Sequence, residues 1–261
     1  MRNLYQIYLI SDSTGETLDR IFLALKAQFP NFEYETNNFS FTRTESQTIS
    51  ILKQAKKEKN SIILYTIVNS KLAKYLTEKA YERNIPCFGV LGDLILNFSK
   101  VLNQKASHEP SGQHILNEEY YDRIEAIQFT MNHDDGNQTE DIEKSDIILM
   151  GVSRTSKTPT SIYLANRGFK TSNIPLVNKN SIPSKVTQKN FTHWVVGLVT
   201  EAERLYDLRK NRITSIKEDQ NSASVKIDKI NEELRSARKI FKENNWPTID
   251  VTRKSVEETA A

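Results

Sequence analysis

The stretch Ile147–Gly168, IILMGVSRTSKTPTSIYLANRG, decides the fold because it runs from an apolar strand through a polar loop into a helix. The pattern predicts that the strand ends at Met150 and that Gly151 opens the loop. Pro159 stands where the first helical turn tolerates a missing N–H, and Gly168 is typical of a residue that ends a helix. This order of elements is that of a phosphate-binding loop, in which backbone N–H groups and a helix N-terminus face an anion.

The loop Gly151–Thr158 contains the side chains that such a site needs. Lys157 has the charge and the spacing to meet terminal phosphate oxygens, and Thr158 supplies a hydroxyl suited to Mg²⁺. Arg154 can hold a phosphate through two hydrogen bonds. The usual pattern has glycine before the lysine, whereas this chain has Ser156, which resists a positive φ. The alternative is an ordinary polar loop between two core elements.

A second candidate is the segment His133–Gly136, HDDG, which follows an alternating apolar stretch. We predict a half-buried strand at Ile127–Met131, so that Asp134 and Asp135 lie at a strand end. Phosphoryl transfer to a hydroxyl needs a group that orients or deprotonates it and carboxylates near Mg²⁺. The bare residues alone favour an ordinary Asp-Gly turn.

A third candidate is the polar loop Ser11–Gly15, which follows an apolar strand at Tyr5–Ile10. Ser13 and Glu16 have the spacing of a capping box, so we expect Ser13 to cap the next helix. A polar loop at a helix N-terminus can also bind an anion, and capping explains this one equally well.

Strands and helices alternate along the chain, which predicts an α/β fold of two α/β units with mainly parallel sheets. The polar stretch Gln104–Gln113 suggests a linker, giving an N-terminal α/β domain at 1–105 and a C-terminal catalytic domain at 106–261. The remaining predicted strands are Ser61–Val68, Ile85–Leu91, Asp146–Met150, Ile174–Val177 and Trp194–Val199. The remaining predicted helices are Ser46–Lys57, Lys71–Arg83, Asn117–Arg123, Ala202–Lys217 and Val225–Asn244. We find no internal sequence repeat.

Composition excludes several classes of protein. A formal net charge of +3 over 261 residues gives no support for nucleic-acid binding, and no apolar run is long enough to span a membrane. Cys87 is the only cysteine, so a reducing cytoplasm fits, and we expect it to be a buried packing residue. The four histidines show no metal-ligand spacing. The basic run Arg204–Arg212 is typical of a solvated helix face, although it could contact phosphates or an acidic partner.

Four segments, in the same order, resemble the pyruvate, phosphate dikinase regulatory proteins over nearly the whole chain. The most specific is GVSRTSKTPTSIYLANRGFKTSNIPLV at Gly151–Val177, where serine before the lysine is similar to the dikinase-directed members. The others are YLISDSTGET at Tyr8–Thr17, RIEAIQFTMNHDDG at Arg123–Gly136 and WPTIDVTRKSVEETA at Trp246–Ala260. The Ser156 departure therefore fits this family.

The resemblance implies a bifunctional enzyme. It would phosphorylate a threonine of pyruvate, phosphate dikinase with ADP as donor, which inactivates the target, and would reverse this with inorganic phosphate, releasing pyrophosphate. A homodimer is expected, and a sister group acts on phosphoenolpyruvate synthase. The residues that match the family's nucleotide loop are Gly151, Val152, Ser153, Arg154, Thr155, Ser156, Lys157 and Thr158. The catalytic candidates are Lys157, His133, Asp134 and Asp135, with either aspartate as general base or metal ligand as our hypothesis and Thr158 as an Mg²⁺ ligand.

Two other functions compete with this interpretation. One is a conventional ATP- or GTP-dependent P-loop kinase, which would need an aspartate at the end of an apolar strand; Ile249–Asp250 is the nearest match. The other is a nucleotide sensor that binds ADP and the dikinase without transferring phosphate. For a protein target, the Arg204–Arg212 helix and the loop Asn178–Asn190 are candidate docking surfaces. Ser255–Glu258 has a capping-box pattern close to the last residue, so we expect a marginal helix, a truncated terminus or docking against a partner.

Overall fold

A computed structural model describes residues 4–177, 179–188, 191–216 and 226–261, with the backbone alone for Lys179 and residues 212–216. By its contacts the chain divides into two compact units, Met1–Ile115 and Leu116–Ala261. Residues 104–113, the predicted linker, lie in the first unit. There His108 Nδ1 lies 2.8 Å from the carbonyl oxygen of Val68.

The first unit is a four-stranded parallel sheet with helices between its strands. The sheet order is β2-β1-β3-β4. Its elements are β1 (Tyr5–Ile10), α1 (Glu16–Lys26), β2 (Tyr34–Phe39), α2 (Glu45–Lys57), β3 (Ser61–Tyr65), α3 (Ser70–Tyr81), β4 (Cys87–Gly89) and α4 (Gly92–Leu102). Tyr8, Ile63 and Leu76 are fully buried in its core because the strands carry apolar runs and the helices an apolar face.

The second unit is also a four-stranded parallel sheet, in the order β6-β5-β7-β8. Its elements are α5 (Glu118–Asn132), β5 (Ile147–Gly151), α6 (Lys157–Ala165), β6 (Thr171–Pro175), β7 (Trp194–Val199), α7 (Ala202–Ile216), α8 (Ile227–Glu243), β8 (Thr248–Asp250) and α9 (Val256–Ala260). Ile230, Leu234 and Phe241 of α8 pack into its core, so one face of that predicted helix is apolar and buried. Ser255 caps α9 through the predicted capping box.

The two sheets have the same strand order, although no repeat is visible in the sequence. In each, the first strand of the sheet pairs with the second strand on one side and with the third on the other. The strand order therefore reverses at this first strand. Such a switch point opens a crevice at the carboxyl end of the strand, where ligands of parallel α/β proteins bind. The loop Gly151–Thr158 begins at this end of β5.

The predicted strand at Ile127–Met131 is wrong, because these residues belong to helix α5. The side chain of Asn117 accepts a hydrogen bond from the N–H of Tyr120 and so caps the start of this helix at Glu118. Ala126 and Thr130 are its buried residues, and a separation of four places them on one helical face. Met131 is 67% exposed, so the apolar alternation did not reflect a buried strand face.

The predicted cap at Ser13 is also wrong. Helix α1 begins at Glu16 with Gly15 as its N-cap at a φ of 91°, and the Ser13 hydroxyl instead accepts a hydrogen bond from Ser111. Strand β2 and helix α4 were not predicted. Strand β2, YETNNF, lies at the sheet edge and has too few apolar residues to be distinguished from a loop.

Within the described residues, every helix is too short or too polar to cross a membrane.

Candidate active site

Gly151 is required at the end of β5 because two groups approach its Cα closely. A Cβ at this position would lie 2.7 Å from the carbonyl oxygen of Leu198 and 2.7 Å from Oγ1 of Thr155. Thr155 is fully buried, and its hydroxyl donates to the carbonyl oxygen of Val152 at 3.0 Å. The loop is therefore folded tightly onto the strand end.

We predict that Gly151→Ala destabilises the second unit by about 1–3 kcal/mol, because the added methyl group meets backbone that cannot move away. Thermal unfolding of the variant should show a lower midpoint than that of the wild type. Gly112→Ala is the control, because a Cβ at Gly112 meets nothing within 4 Å. An equal effect of the two substitutions would contradict the assignment.

Two residues of the loop have left-handed backbone conformations, Arg154 with a φ of 77° and Ser156 with a φ of 58°. Ser156 is the N-cap of α6, but its side chain makes no capping hydrogen bond. The first N–H groups of α6 therefore keep their capacity to bind an anion. As expected from the sequence, serine stands at a position with a positive φ. Ser156 adopts the left-handed conformation that glycine usually provides at this point of the loop.

Lys157 is 6% exposed, and its Nζ donates to the carbonyl oxygen of Val152 at 3.0 Å. Burial lowers the pKa of Lys157 from 10.5 to about 8, although Asp135 and Asp134 raise it, while Arg209 lowers it further. An ammonium group held in a poorly solvated position is strongly stabilised by an anionic ligand.

We predict that Lys157→Met increases the stability of the protein at neutral pH by up to about 3 kcal/mol, because the folded state no longer holds a buried charge. The pKa of Lys157 is 10.5 in the unfolded chain and about 8 in the folded protein, so the folded state loses the proton at a lower pH. The wild type therefore gains stability as the pH rises through this window, and the difference between the proteins should narrow there. Unfolding midpoints at pH 7 and pH 10 check this; a constant difference would contradict it.

Asp134, Thr158 and Asn173 form a hydrogen-bonded cluster beside the loop. The hydroxyl of Thr158 donates to Oδ1 of Asp134 at 3.0 Å. Asn173 Nδ2 donates to Thr158 Oγ1 at 2.9 Å and also to Oδ1 of Asp134. Asn173 is 1% exposed, and its own Oδ1 is buried without a hydrogen-bond partner in the described part of the chain. Such an orphaned acceptor indicates a position where a bound group or water donates.

Asp135 differs from its neighbour. It has a φ of 55°, and it is exposed at the edge of the cavity. No hydrogen bond or ion pair to its carboxylate is found within the residues that the structure describes. Of the two aspartates, Asp135 is therefore the one whose oxygens can accept a proton from a substrate without first breaking a contact.

His133 is buried behind this cluster at 3% exposure. Its Nδ1 lies 2.8 Å from the carbonyl oxygen of Phe129 and its Nε2 lies 2.8 Å from Oδ1 of Asp141. Its ring also stacks on Phe129 with the centroids 3.7 Å apart. Both ring nitrogens have partners within the protein. His133 is therefore placed to hold the Asp134–Asp135 turn in position.

A cavity of ≈540 Å³, here called the loop cavity, brings these groups together. It is lined by both aspartates, by Asn173 and by the loop residues Ser153, Arg154, Ser156, Lys157 and Thr158. Gly151, Val152 and Thr155 belong to the same loop but are not among the lining residues, and Val152 and Thr155 are buried. The structure therefore collects the predicted loop residues and both aspartates in one place.

Two residues of this region, Asn173 and Arg209, were not predicted from the sequence. Asn173 is a polar residue within a buried strand, TSNIP, which was the available signal. Arg209 was expected on a solvated face, but it is 7% exposed, and it donates to Glu233 at 2.7 Å and to the carbonyl oxygen of Ser153 at 3.4 Å. Arg209 therefore supports the loop from below. The side chain of Arg212 lies outside the described residues.

Magnesium fits this donor set. No group of three or more histidine, cysteine, aspartate or glutamate side chains that could hold a metal occurs within the described residues. Mg²⁺ needs no such group, since it commonly binds one or two carboxylates together with phosphate oxygens and water. Asp134 and Thr158, with oxygens 3.0 Å apart, offer one carboxylate and one hydroxyl.

The polar loop after β1 also borders a cavity, of ≈180 Å³, lined by hydroxyl side chains that include Ser11, Ser13 and Thr66. Asp12 is 2% exposed, and its Oδ2 accepts a hydrogen bond from the N–H of Val68 at 2.8 Å.

Cys87 packs against the neighbouring core, and burial raises the pKa of its thiol to about 12. Cys87 is therefore a packing residue, as predicted, but it is half-buried rather than fully buried.

The fold and the loop cavity define a class of protein, an α/β protein with a buried lysine and carboxylates in one cavity at the carboxyl end of a central strand. Comparison with known proteins agrees, because the family model Kinase/pyrophosphorylase matches residues 7–261. The chain belongs to the kinase/pyrophosphorylase family. It is a phosphotransferase that uses a nucleotide and phosphate.

Several similar proteins share one name, "Putative pyruvate, phosphate dikinase regulatory protein". That of Pelagibacter ubique is 65% identical over 261 residues, covering 100% of this chain and 95% of the relative. That of Sphingopyxis alaskensis is 45% identical over 255 residues, covering 98% and 94%. That of Erythrobacter litoralis is 42% identical over 256 residues, covering 98% and 91%.

Proposed function

We propose that this chain regulates pyruvate, phosphate dikinase by moving a phosphoryl group on and off a threonine of that enzyme. ADP is the donor in the kinase direction, and inorganic phosphate is the acceptor in the pyrophosphorylase direction. The observation that carries the proposal is the loop cavity, where the buried ammonium of Lys157 and the unpaired carboxylate of Asp135 line one space. The names of the relatives supply the target.

In the kinase direction, the threonine oxygen attacks the β-phosphorus of ADP and the bond from that phosphorus to the bridging oxygen breaks. The hydroxyl proton passes to Asp135, and AMP leaves. Lys157, Arg154 and the first N–H groups of α6 stabilise the negative charge on the transferred group. Asp135 suits the base because its carboxylate is free, whereas Asp134 is held by Thr158 and Asn173.

In the pyrophosphorylase direction, an oxygen of inorganic phosphate attacks the phosphorus of the phosphothreonine. The bond to the threonine oxygen breaks, that oxygen takes a proton from Asp135, and pyrophosphate leaves. The same anion-binding loop serves both directions because the phosphorus passes through equivalent positions. Asp134 and Thr158 would hold Mg²⁺, which lowers the negative charge that the phosphates carry.

A conventional ATP-dependent P-loop kinase is the second candidate, and one observation speaks against it. Asp250, the nearest match to the required strand-end aspartate, accepts both the N–H of Thr252 at 2.9 Å and its hydroxyl at 2.5 Å. It is not among the residues that line the loop cavity. Asp250 therefore organises the chain after β8 rather than a metal at the loop.

Radiolabel transfer tests the proposal. The purified protein is mixed with Mg²⁺, the dikinase with its own substrates, and ADP labelled at the β-phosphate; parallel arms use phosphoenolpyruvate synthase and ATP labelled at the γ-phosphate. We expect acid-stable label on threonine of the dikinase from ADP alone. Label only on the synthase would assign the sister target. Label only from ATP would indicate a conventional kinase, and binding without transfer a sensor.

We further propose that the chain forms a homodimer in the cytoplasm and that α4 contributes to the contact. None of the residues in α4 is buried, yet the helix carries Leu94, Leu96, Phe98 and Val101, and Val101 is 85% exposed. Exposed apolar surface of this kind marks protein contacts. Phe98→Glu should lower the mass measured by light scattering from two copies to one. An unchanged mass would exclude α4 from the interface.

The two candidate docking surfaces for the target are the helix Arg204–Arg212 and the loop Asn178–Asn190. Within the helix Arg204–Arg212, Arg209 is buried, so among the basic side chains that the structure describes there, the exposed Arg204 and Lys210 remain candidates. Part of the loop Asn178–Asn190 lies outside the described residues, including both of its end positions.

A further inference from the structure

A second cavity adjoins the loop cavity, and Arg154, Ser156 and Leu208 line both. Its volume is ≈670 Å³, and its other walls come from the start of α7 and from the segment after β8. We propose that this second cavity, here called the leaving-group cavity, binds the nucleoside monophosphate part of the donor in the kinase direction. In the pyrophosphorylase direction only inorganic phosphate enters it, at the end nearest Arg154. This inference rests on the proposed function.

The in-line geometry of phosphoryl transfer assigns a role to each of the two cavities. In phosphoryl transfer the attacking and the leaving oxygen lie roughly in line on opposite sides of the phosphorus. Asp134 and Asp135 line the loop cavity and are not among the lining residues of the second one. Since the base must reach the threonine hydroxyl, the threonine enters by the loop cavity, and the leaving group departs past Arg154 and Ser156.

The charges of the leaving-group cavity fit an anion. Arg154, Arg204 and Arg253 line it, and the structure gives these three side chains no hydrogen bond or ion pair within its described ranges. Arg209 one turn further along α7 is instead paired with Glu233. Guanidinium groups without protein partners are available to bind phosphate and to stack on a planar base.

The cavity also carries carboxylates, which a bare phosphate would not favour. Glu203 and Asp207 of α7 line it together with the arginines. Carboxylates accept hydrogen bonds from sugar hydroxyls, as in other nucleotide sites. The mixture of cations and carboxylates therefore fits a molecule with a phosphate at one end and hydroxyl groups further along, such as a nucleoside monophosphate.

Hydrogen bonds hold the walls of the cavity in place. The N–H of Glu201, just before α7, donates to Oγ1 of Thr252 at 3.0 Å. That hydroxyl in turn donates to Oδ1 of Asp250 at 2.5 Å, which lowers the pKa of Asp250. The segment that carries Arg253 is thereby fixed beside the start of α7, so the cavity is formed before a ligand arrives.

The kinase and pyrophosphorylase activities should respond differently to a substitution in the leaving-group cavity. Only the kinase direction uses the outer part of the leaving-group cavity, because pyrophosphorylase chemistry needs no nucleoside. We expect Arg253→Ala to raise the KM for ADP at least about tenfold, since a charge-assisted contact is lost. The KM for inorganic phosphate should stay within about twofold, because the proposal places the phosphate at the end nearest Arg154, which this variant leaves intact. AMP should inhibit the pyrophosphorylase reaction competitively with phosphate.

Arg235→Ala is the matched control, since Arg235 is an exposed arginine of α8 that lines neither cavity. It should leave both KM values unchanged. Equal losses in both directions for Arg253→Ala, an unchanged KM for ADP, or inhibition by AMP that is not competitive with phosphate would each overturn the proposal.

A binding experiment keeps the test independent of the proposed reaction. Amide hydrogen exchange is measured in the absence of the dikinase. Three samples are compared, one with ADP, one with inorganic phosphate and one without ligand. We expect ADP to protect the amides of residues 199–208 and 250–255, and phosphate to protect the loop Gly151–Thr158 without protecting 250–255. Protection by ADP that spares 250–255 would overturn the cavity assignment, even if label transfer succeeds. Protection of 250–255 with no label transfer would support the cavity and reject the proposed function.

Discussion

Replacing Lys157 by alanine should reduce the rates of both the kinase and the pyrophosphorylase reaction by at least about a hundredfold. The lysine is buried at 6% exposure beside the cavity, and both reactions develop negative charge on the same transferred group. A buried ammonium is worth more than an exposed one because little water screens it. Initial rates of label transfer to the dikinase and of pyrophosphate release measure the two effects.

Loss of activity through unfolding must be distinguished from loss of the charge. Removal of the buried charge is expected to stabilise the fold, so Lys157→Ala should unfold no earlier than the wild type if its small cavity is tolerated. Lys239→Ala is the control, since the Lys239 side chain is 71% exposed on α8 and pairs only with Glu243 among the described residues. Full activity of Lys157→Ala in either direction would remove Lys157 from the proposed mechanism.

Replacing Asp135 by asparagine should lower kcat in both directions by about a hundredfold to ten-thousandfold, the range of general acid–base catalysis. Asparagine accepts the left-handed φ of 55° at this position, so the fold is retained. The KM for ADP should change little because the nucleotide contacts remain. Steady-state kinetics in the two directions give kcat and KM separately.

The neighbouring Asp134 provides the contrast. Asp134→Asn leaves Thr158 and Asn173 a partner of similar shape but removes the carboxylate proposed to bind Mg²⁺. It should therefore raise the Mg²⁺ concentration needed for half-maximal rate, an effect that Asp135→Asn should not show. If Asp134→Asn instead lost kcat at saturating Mg²⁺ while Asp135→Asn stayed active, the roles of the two aspartates would be exchanged.

The parallel α/β fold could be predicted from the sequence because its buried strands are apolar runs with strong local signals. Trp194–Val199 is the clearest case, since the predicted and observed strand β7 coincide. The predicted helix at Asn117–Arg123 covers the first half of α5, and the second half was missed because Ile127, Phe129 and Met131 alternate, although the residues that pack inward are Ala126 and Thr130. A small and a polar residue give no hydrophobic signal.

For the candidate site, the sequence indicated the loop and both aspartates, and the structure brings them into one cavity. Their chemical roles stay predictions. Asn173 and Arg209 could not be found from spacing, because each meets the loop only after the chain has folded back. Asn173 contacts Asp134 and Thr158 across separations of 39 and 15 residues, and Arg209 reaches the carbonyl oxygen of Ser153 across 56.

The low pKa of Lys157 has a consequence for the heat of ligand binding. With a pKa of about 8, this side chain is only partly protonated in a solution of pH 8. A phosphate that binds beside it favours the ammonium form, so the protein takes up a fraction of a proton from the buffer as the ligand binds. The calorimetric enthalpy at pH 8 should therefore change with the ionisation enthalpy of the buffer, and this dependence should disappear in Lys157→Met.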